Sequence, residues 1–374
     1  MKNIFAYNLK TDLNTITSIK KVKHIAPALL LLFIVNLTDA QAQDPRTKAV
    51  DTLFRKYSGP GTSGISVMVI ENGKIVYDHS FGYAEISTGR KTTSATNYRI
   101  ASVTKPFTAM AILMLRDQGK LKLEDKLSSF FSGLPHFANE ITIKQMLNHT
   151  SGLITYGNSV LKDLGRPLND TDVLEIVKKQ DSTNFKPGSK FRYSNTAYVL
   201  LGLIVEKLSG LPFGEFLSRR VFRPLKMSGT TFNNLEGKIQ NRAYGYNERG
   251  GKLVLEDQSE ASYLRGDGGI YSSVKDFYKW DQALYTEKLV KQSTMQEIFT
   301  PSSFEAPGLG YGYGWYIEKR FGLKRISHSG GTTGFSSYYV RYPEKHFSIV
   351  VFGNQDEGLA LDPIISGIEK IYLQ

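Results

Sequence analysis

The sequence contains no cysteine among its 374 residues. This absence excludes disulfide bonds, thiolate metal sites, a cysteine nucleophile and lipid attachment at an N-terminal cysteine. The sequence also lacks a Gly-x-Ser-x-Gly pattern, which disfavours the α/β-hydrolase type of esterase. It has no histidine-rich ligand pattern, so we expect neither a metal nor another cofactor. Whatever chemistry the chain performs must therefore come from its hydroxyl, amine, imidazole and carboxylate groups.

Long apolar runs are also absent, because the apolar segment Ile25–Leu37 is shorter than the roughly 20 residues that cross a bilayer. Three lysines within Lys20–Lys23 precede this segment, and Ala40–Ala42 fits a small-residue cleavage site. We therefore predict that residues 1–42 form an export signal and that the mature protein is periplasmic or secreted. We expect no stable membrane span after cleavage; an uncleaved anchor is the alternative.

The formal net charge of +12 is spread along the chain and does not form one basic cluster. This distribution favours a solvated basic surface over nucleic-acid binding, and it is compatible with attraction to an anionic cell wall. We expect no nucleic-acid partner.

Strand patterns occupy the two ends of the chain, and helical patterns occupy its middle. Near the start, β-rich runs at 64–70 and 74–81 flank Asn72-Gly73, which predicts a two-residue type I′ hairpin turn. The helical candidates are 142–147, 171–179, 197–208, 213–221 and 274–284, and the late strand candidates are 313–318, 324–328, 336–342 and 347–352. The segment 361–373 is amphipathic and predicts a closing helix.

This arrangement predicts a two-part α+β (or α/β) fold in one catalytic domain, residues 43–374. An antiparallel sheet would be built from both termini, at about 43–90 and 305–374, and flanked by helices. A mainly helical part, about 91–304, would be inserted between the two sheet segments. A small-molecule site would lie in the cleft between these parts.

The segment Tyr98–Gly119 predicts a buried helix, because Phe107–Leu115 is apolar on every helical face apart from Thr108. Ser102 is expected as its N-cap, Pro106 fits only the first turn, and Gly119 would end the helix. Lys105 follows Ser102 by three residues and would share its helix face. A hydroxyl beside an amine is the arrangement of a nucleophile next to its base.

Ser-x-x-Lys is a common pattern, and it occurs here at Ser18, Ser102, Ser159 and Ser272. Only Ser102 opens an all-apolar helix. Two further motifs are Tyr193-Ser194-Asn195 and His328-Ser329-Gly330-Gly331. Taken alone, the first could be a helix cap beside a packed tyrosine, and Tyr156-Gly157-Asn158 repeats its form. The second could be a histidine in a glycine turn.

The three motifs in this order resemble the serine β-lactamase and penicillin-binding-protein superfamily, most of all its class C branch with the related D-amino-acid peptidases and esterases. Further stretches also resemble that family, and the resemblance extends from about residue 60 to 355: Tyr98–Ser102, Met146–Leu153, Pro187–Ser209 and Gly268–Ser273. The resemblance implies a serine β-lactamase-like fold.

The resemblance also implies a role for each motif residue. Ser102 would be acylated, with Lys105 as its base and Tyr193 as a proton relay. Asn195 would hold Lys105 or the substrate amide. The oxyanion hole would use the backbone N–H groups of Ser102 and Gly331. Of the remaining motif residues, His328 would be catalytic, and Ser329 and Gly330 would bind the substrate along the same strand.

His328 stands where the better-known β-lactamases of the family carry a lysine that attracts the β-lactam carboxylate. A histidine is mostly neutral at pH 7 unless it is perturbed. This difference weakens the case for a dedicated β-lactamase and favours the D-alanyl-type peptidases, D-amino-acid amidases and esterases of the family. We therefore predict an exported serine hydrolase that forms an acyl-enzyme on Ser102 and hydrolyses an amide or ester, in a D-amino-acid-containing cell-wall peptide, peptidoglycan-derived or otherwise, or in a β-lactam-like substrate. The alternatives are a carboxylesterase of the same fold and a sensor that penicillin acylates without turnover. We expect His149 to organise a turn and Arg265–Asp267 to form a loop.

Overall fold

The computed structural model describes residues 44–156, 166–232, 238–356 and 358–374. The predicted export signal lies outside these residues, as do the Ser-x-x-Lys patterns at Ser18 and Ser159 and the Gly157-Asn158 pair. Export therefore stays a prediction.

The main sheet has eight antiparallel strands in the order β10-β11-β12-β13-β14-β15-β1-β2. The strands of the described residues are β1 Ile65–Glu71, β2 Lys74–Phe81, β3 Tyr83–Glu85, β4 Arg90–Lys91, β5 Tyr98–Arg99, β6 Thr231–Phe232, β7 Tyr246–Arg249, β8 Lys252–Leu255, β9 Ile270–Ser272, β10 Ser303–Ala306, β11 Leu309–Tyr311, β12 Tyr316–Arg320, β13 Leu323–Thr332, β14 Phe335–Tyr342 and β15 Phe347–Gly353. Since β1 pairs with β15, the sheet joins both ends of the chain, as predicted.

The predicted hairpin turn is confirmed, because Asn72 and Gly73 both have positive φ angles, 52° and 72°. That combination defines a type I′ turn, and its twist matches the twist of the flanking strands.

Most predicted helices are confirmed within a few residues. The helices are α1 Pro45–Leu53, α2 Lys105–Asp117, α3 Ile143–Leu147, α4 Asp170–Lys178, α5 Asn195–Ser209, α6 Phe213–Leu217, α7 Val274–Ala283, α8 Gln292–Ile298 and α9 Leu361–Leu373. The predicted helix 213–221 is wrong in detail, because α6 gives way to a π-helical turn at Ser218–Phe222. In the described part of the chain no single helix has the length and apolarity to span a membrane, although α5 and the segment Phe213–Phe222, bent by 74°, meet both criteria as a pair.

Three small sheets outside the main sheet were not predicted. They are the pairs β3-β4 and β7-β8 and the three-stranded sheet β5-β9-β6. Their strands have two to four residues, which is too short for an alternating apolar pattern to be recognised. β5 and β9 matter for the site, because β5 leads directly into the segment that carries Ser102.

The two faces of the main sheet carry different cores. In β14, Tyr339 packs into the large core around α2 and α5, whereas Val340 and Tyr342 pack into a second core with α1 and α9. Successive side chains of a strand point to opposite faces, so this alternation assigns each face. Helices α2 and α5 therefore pack on the Tyr339 face.

Helix α2 is buried as predicted, because eleven of its thirteen residues are buried. Full burial of one large apolar side chain stabilises a fold by roughly 1.5–3 kcal/mol. Pro106 lies in the first turn, and Gly119 follows the helix with a φ of 73°. Both expectations are confirmed.

The assignment of Ser102 as the N-cap is wrong. The chain enters α2 through a 3₁₀ turn, Ala101–Thr104, and the N-cap position is held by Thr104 without a side-chain hydrogen bond. The 3₁₀ turn begins with the Val103 N–H donating to Ile100 O (3.1 Å). Because the turn uses backbone bonds, the Ser102 hydroxyl is not consumed as a cap.

The predicted strand 313–318 starts later, at Tyr316. The reason is Gly314, which has a φ of 84° and lies against the entrance of α2. A Cβ atom there would come within 3.0 Å of the Lys105 carbonyl oxygen and of Pro106. A glycine is needed for this approach, and the positive φ interrupts the strand.

Candidate active site

Ser102 and Lys105 meet at the entrance of α2. Lys105 is fully buried, and its Nζ atom donates to Ser102 Oγ (3.0 Å) and to the carbonyl oxygen of Asp267 (2.8 Å). Burial lowers the pKa of Lys105 to about 8, and the charge of Asp267 partly opposes this shift. A buried amine that can lose its proton near neutral pH is thus in direct contact with a serine hydroxyl.

Ala101, the residue before the serine, has a φ of 50°, which is unusual for a residue other than glycine. β13 packs against the same segment. A Cβ atom at Gly330 would lie 2.8 Å from Ser102 N and 2.5 Å from Ile100 O, and Ser337 Oγ donates to Ile100 O (2.7 Å). The glycine of the His-Ser-Gly motif is therefore required for close approach of the strand to the serine backbone.

Tyr193 lies beside Lys105, with Lys105 Nζ 4.8 Å from the centre of its ring. Burial raises the pKa of Tyr193 well above its usual value, and the Ser102 hydroxyl partly offsets the rise. Tyr193 is therefore a neutral phenol at pH 7 and a potential proton donor.

His149 supports the Tyr193 segment, as its predicted turn role requires. The ring of His149 lies 4.3 Å from the ring of Tyr193, and its Nδ1 accepts from the N–H of Ser194 (3.1 Å). Burial lowers the pKa of His149 well below its usual value, with the charge of Lys105 as a second cause. The imidazole is thus neutral and acts as an acceptor that fixes the backbone after Tyr193.

His328 is buried, 2% exposed, and both of its ring nitrogens are in contact with protein atoms. Nδ1 lies 2.6 Å from Ser329 O, and Nε2 lies 3.1 Å from the Tyr311 hydroxyl. Because a carbonyl oxygen can only accept, Nδ1 must carry the proton and Nε2 must accept from Tyr311. Burial and the charge of Lys105 lower the pKa of His328 to about 3. The imidazole is neutral, as the sequence suggested.

The other predicted residues are near this centre but are less constrained. Asn195 begins α5, and its Oδ1 atom is buried without a hydrogen-bond partner among the described residues. Ser329 and Gly331 are exposed on β13, on either side of Gly330. Neither contact of Lys105 is to Asn195.

Sequence reasoning missed the contribution of the loop at Gly266–Gly269. Its Asp267 accepts from Lys105 through the backbone and from the Tyr156 hydroxyl (2.5 Å) through the carboxylate. Gly266 O accepts from Thr108 of α2 (2.6 Å), and a Cβ atom at Gly266 would lie 2.2 Å from Tyr198 O. The run Gly-Asp-Gly-Gly was the available signal, because glycines often mark close backbone approach.

The hydrogen bond between the Tyr311 hydroxyl and His328 Nε2 was not predicted. The Tyr311 ring also packs against the His149 ring in a tilted arrangement, with ring centres 4.7 Å apart. Across the described residues, no group of three or more His, Asp or Glu side chains is arranged to hold a metal ion.

The family model described as Beta-lactamase matches residues 50–365 of this sequence. The chain belongs to the Beta-lactamase family. It is 32% identical over 329 residues to Penicillin-binding protein 4* of Bacillus subtilis (strain 168), and the match covers 83% of this chain and 72% of that protein. The chain spans only 65% and 59% of the length of two further curated relatives.

Solved structures give the same family relationship. A penicillin binding protein from Bacillus halodurans superposes with a TM-score of 0.76 and 27% identity, over 86% of this chain and 99% of that one. A D-stereospecific amidohydrolase from Streptomyces sp. superposes with a TM-score of 0.73 and 25% identity, over 87% and 98%. The protein is thus a hydrolase of the β-lactamase fold that is related to penicillin-binding proteins.

Proposed function

We propose that this Beta-lactamase family member is an exported serine hydrolase that forms an acyl-enzyme on Ser102. The observation that carries the proposal is the fully buried Lys105, with its Nζ 3.0 Å from Ser102 Oγ and its pKa lowered to about 8 by burial. A serine hydroxyl needs a base to become a nucleophile, and a lysine works as that base only when it is uncharged.

Lys105 is the better candidate for the base that starts acylation, because the pKa of Tyr193 is raised and that of Lys105 is lowered. In the neutral form Lys105 takes the Ser102 proton as Oγ attacks the substrate carbonyl carbon. Tyr193 then delivers a proton to the leaving amine or alcohol as the carbonyl–heteroatom bond breaks, and it is reprotonated from Lys105. In deacylation a water molecule attacks the carbonyl carbon of the acyl ester and gives a proton to Lys105. The bond to Ser102 Oγ then breaks, Oγ regains a proton through Tyr193, and the acid is released.

The oxyanion of each tetrahedral intermediate would be held by the backbone N–H groups of Ser102 and Gly331. The close approach of β13 at Gly330 to Ser102 N supports this pairing. Loss of one such donor typically slows a reaction about 100- to 1000-fold. Ser329 and Gly330 would form the strand edge along which the substrate lies.

Asn195 would contribute an acceptor to the substrate. Its Oδ1 is buried without a partner among the described residues, and buried acceptors are normally satisfied. A substrate amide N–H would satisfy it, which favours amides over esters.

The neutral His328 supports a substrate without a recognised carboxylate at this position. Its two ring nitrogens are bonded to Ser329 and Tyr311, so we assign it a positioning role beside the nucleophile. The similarity to a D-stereospecific amidohydrolase adds support for a substrate containing a D-amino acid. We propose a D-amino-acid-containing amide or cell-wall peptide as the substrate class.

The test begins with fluorescent penicillin and intact-mass analysis of wild-type protein and Ser102→Ala. We expect one label on the wild-type protein, located on Ser102, and none on the variant. A label that persists in Ser102→Ala would refute the proposed nucleophile.

A substrate panel then tests the reaction, with Ser102→Ala as the blank. It contains D-Ala-D-Ala peptides, D-amino-acid amides, nitrocefin and short p-nitrophenyl esters. We expect release of D-amino acids from amides or peptides. Turnover of esters alone would indicate a carboxylesterase, and labelling without any turnover would indicate a sensor. N-terminal sequencing of the exported protein tests cleavage after Ala42.

A further inference from the structure

A second cavity lies between α7, α8 and the strands β13 and β14, and nothing in the proposed reaction uses it. Its volume is about 280 Å³. The residues that matter for its chemistry are Tyr285, Met295, Phe299, Lys324, Ile326 and Arg341. The cavity is on the same sheet face as His328, because Ile326 precedes His328 by two residues on β13.

Arg341 is the central group of this cavity. Its side chain is 1% exposed, and its Nε and Nη1 atoms are buried without hydrogen-bond partners among the described residues. The guanidinium carbon lies 4.2 Å from the ring centre of Tyr285 and 5.1 Å from that of Phe299. An arginine cannot lose its charge in a protein, so this cation stays charged in a buried place.

The acidic group inside the fold is already engaged elsewhere. Asp281 interacts electrostatically with Arg341, but its Oδ1 accepts from Tyr339 (2.6 Å) and Ser348 (2.5 Å). Within the described part of the chain, Arg341 forms no ion pair closer than 4.0 Å. The Tyr285 hydroxyl is a weak hydrogen-bond partner of Arg341, but the hydroxyl and the Nε and Nη1 atoms of Arg341 form no hydrogen bond of full geometry among those residues.

A second cation lines the same cavity. The pKa of Lys324 is lowered by burial, raised by Glu344 and lowered further by the charge of Arg341. Glu344 is exposed at the rim, so it screens Lys324 and does not reach the buried face of Arg341 as an ion-pair partner. The buried end of the cavity is therefore positive. Its walls combine the apolar side chains with the amides of Gln292 and Gln296.

We propose that this cavity binds a small organic carboxylate with an apolar body. The carboxylate would lie against the unpartnered N–H groups of Arg341 and the amine of Lys324. Arginine presents a planar fork that matches a carboxylate. The apolar body would pack against Met295, Phe299 and Ile326, a lining that an inorganic anion could not use.

Sodium benzoate is a suitable probe, and the full chain should be titrated by calorimetry and thermal melting. We expect saturable binding in the millimolar range and a rise in Tm that depends on benzoate concentration. Lys324→Ala should weaken binding about five-fold, the effect of losing one charged contact. The matched control is Lys370→Ala, which removes an exposed charge from α9 on the opposite face of the sheet and should leave binding unchanged.

Arg341→Met tests the central group. We expect loss of benzoate binding and no loss of Tm in the free protein, because within the described residues no carboxylate at ion-pair distance would be left uncompensated. If this variant does not fold, Lys324→Ala still decides the question. Three results would each overturn the proposal: no saturable binding of benzoate, equal binding by Lys324→Ala and wild type, or equal stabilisation by sodium phosphate at the same ionic strength.

This site is independent of the proposed reaction. Ser102→Ala should bind benzoate as the wild-type protein does. Binding that disappears in Ser102→Ala but survives Lys324→Ala would place the benzoate in the catalytic cleft and overturn the inference.

Discussion

Lys105 and Arg341 are both buried cations on the same face of the main sheet, but their surroundings differ. Both cations lie near two aromatic rings, but Lys105 also donates to two oxygens, Ser102 Oγ and Asp267 O. Arg341 contacts two aromatic rings and leaves two N–H groups without partners among the described residues. Neither forms an ion pair with a carboxylate inside the described part of the chain.

The difference lies in what each side chain can do about its charge. A lysine can release its proton, so burial lowers its pKa and produces a base. An arginine cannot, so its burial is compensated only by a counter-ion or by polarisable groups. Burial of a cation therefore produces a catalytic base at Lys105 and, in our interpretation, a ligand site at Arg341.

The largest effect is expected when the lysine at the Ser102 site is replaced by an arginine, the residue type of the second cavity. Lys105→Arg would place a permanent charge beside Ser102 and remove the base. We expect the rate of acylation by fluorescent penicillin to fall by about 1000-fold or more, because general-base catalysis contributes about 10²–10⁴. Lys370→Arg, the same exchange on an exposed helix position, should have no effect. Acylation of Lys105→Arg at a near-normal rate would show that another group is the base.

Tyr193→Phe should have the next largest effect. It removes the phenol that we assign to proton delivery and keeps the ring beside Lys105, and we expect kcat to fall about 100-fold. The matched control is Tyr198→Phe, because the ring of Tyr198 also lies near Lys105, at 5.6 Å, but its hydroxyl donates to Leu147 O. That variant should lose stability and keep most of its activity. Equal losses of activity in both variants would contradict the relay.

The pH profile should report Lys105 directly. The neutral form is the active one, so acylation should rise about tenfold per pH unit below pH 8 and level off above it. Asp267→Asn removes the charge that raises the pKa of Lys105, so the plateau should begin at lower pH. The Asp267 carbonyl that binds Lys105 is kept in this variant. If acylation had the same pH dependence in Asp267→Asn and in the wild-type protein, Lys105 would not be the titrating group.

His328→Gln should have a smaller effect, a loss of about tenfold or less in kcat, because we assign His328 to positioning. Its pKa of about 3 means that it does not titrate in the working range. The shape of the pH profile should therefore be the same in the variant and the wild-type protein. If the rise or the fall of the rate with pH disappeared in His328→Gln, His328 would instead have a role in proton transfer.

The sequence was informative where an interaction is local. The three-residue spacing of Ser102 and Lys105, the type I′ turn at Asn72-Gly73 and the end of α2 at Gly119 follow from short-range geometry, and the structure confirms these features. The alternation of the late strands also predicted the sheet and its joining of both termini.

The features that were missed depend on contacts between distant segments. Lys105 and Asp267 are 162 residues apart, and Tyr156 and Asp267 are 111 apart, so no local pattern connects them. Ser102 was wrongly assigned as a cap because the 3₁₀ entry to α2 is packed against Gly330 and Gly314. These contacts exist only once the sheet has formed.

Asp170 extends the comparison to a buried acid and should show the smallest effect on catalysis. Its carboxylate accepts from Arg265 N (3.0 Å), next to the loop that holds Lys105. Burial raises the pKa of Asp170 to about 7, the Arg265 N–H lowers it and the charge of Asp267 raises it. Lys105 becomes neutral by losing a proton, and Asp170 becomes neutral by gaining one. We therefore expect Asp170 to be protonated in the folded protein at acidic pH.

The sign of its effect on stability follows from this shift. The folded state keeps the Asp170 proton up to about pH 7, whereas the unfolded chain releases it near pH 4. Asp170 therefore contributes most below pH 4, and its contribution declines as the pH rises to 7. Asp170→Asn cannot ionise, and each pKa unit between the two states corresponds to about 1.4 kcal/mol. Relative to wild type the variant should therefore gain roughly 4 kcal/mol between pH 4 and pH 8 in urea unfolding, with unchanged activity.

Asp172 on the same helix provides a control of opposite sign. Its pKa is lowered by Arg166 and by the Asn169 N–H, so its contribution is present at neutral pH and is lost as the pH falls. Asp172→Asn should therefore be less stable than wild type at pH 7, and the difference should shrink toward pH 3. If both variants shifted stability in the same direction with pH, burial would not be the cause at Asp170. Neutralisation of a charged group by burial would then be supported at Lys105 alone.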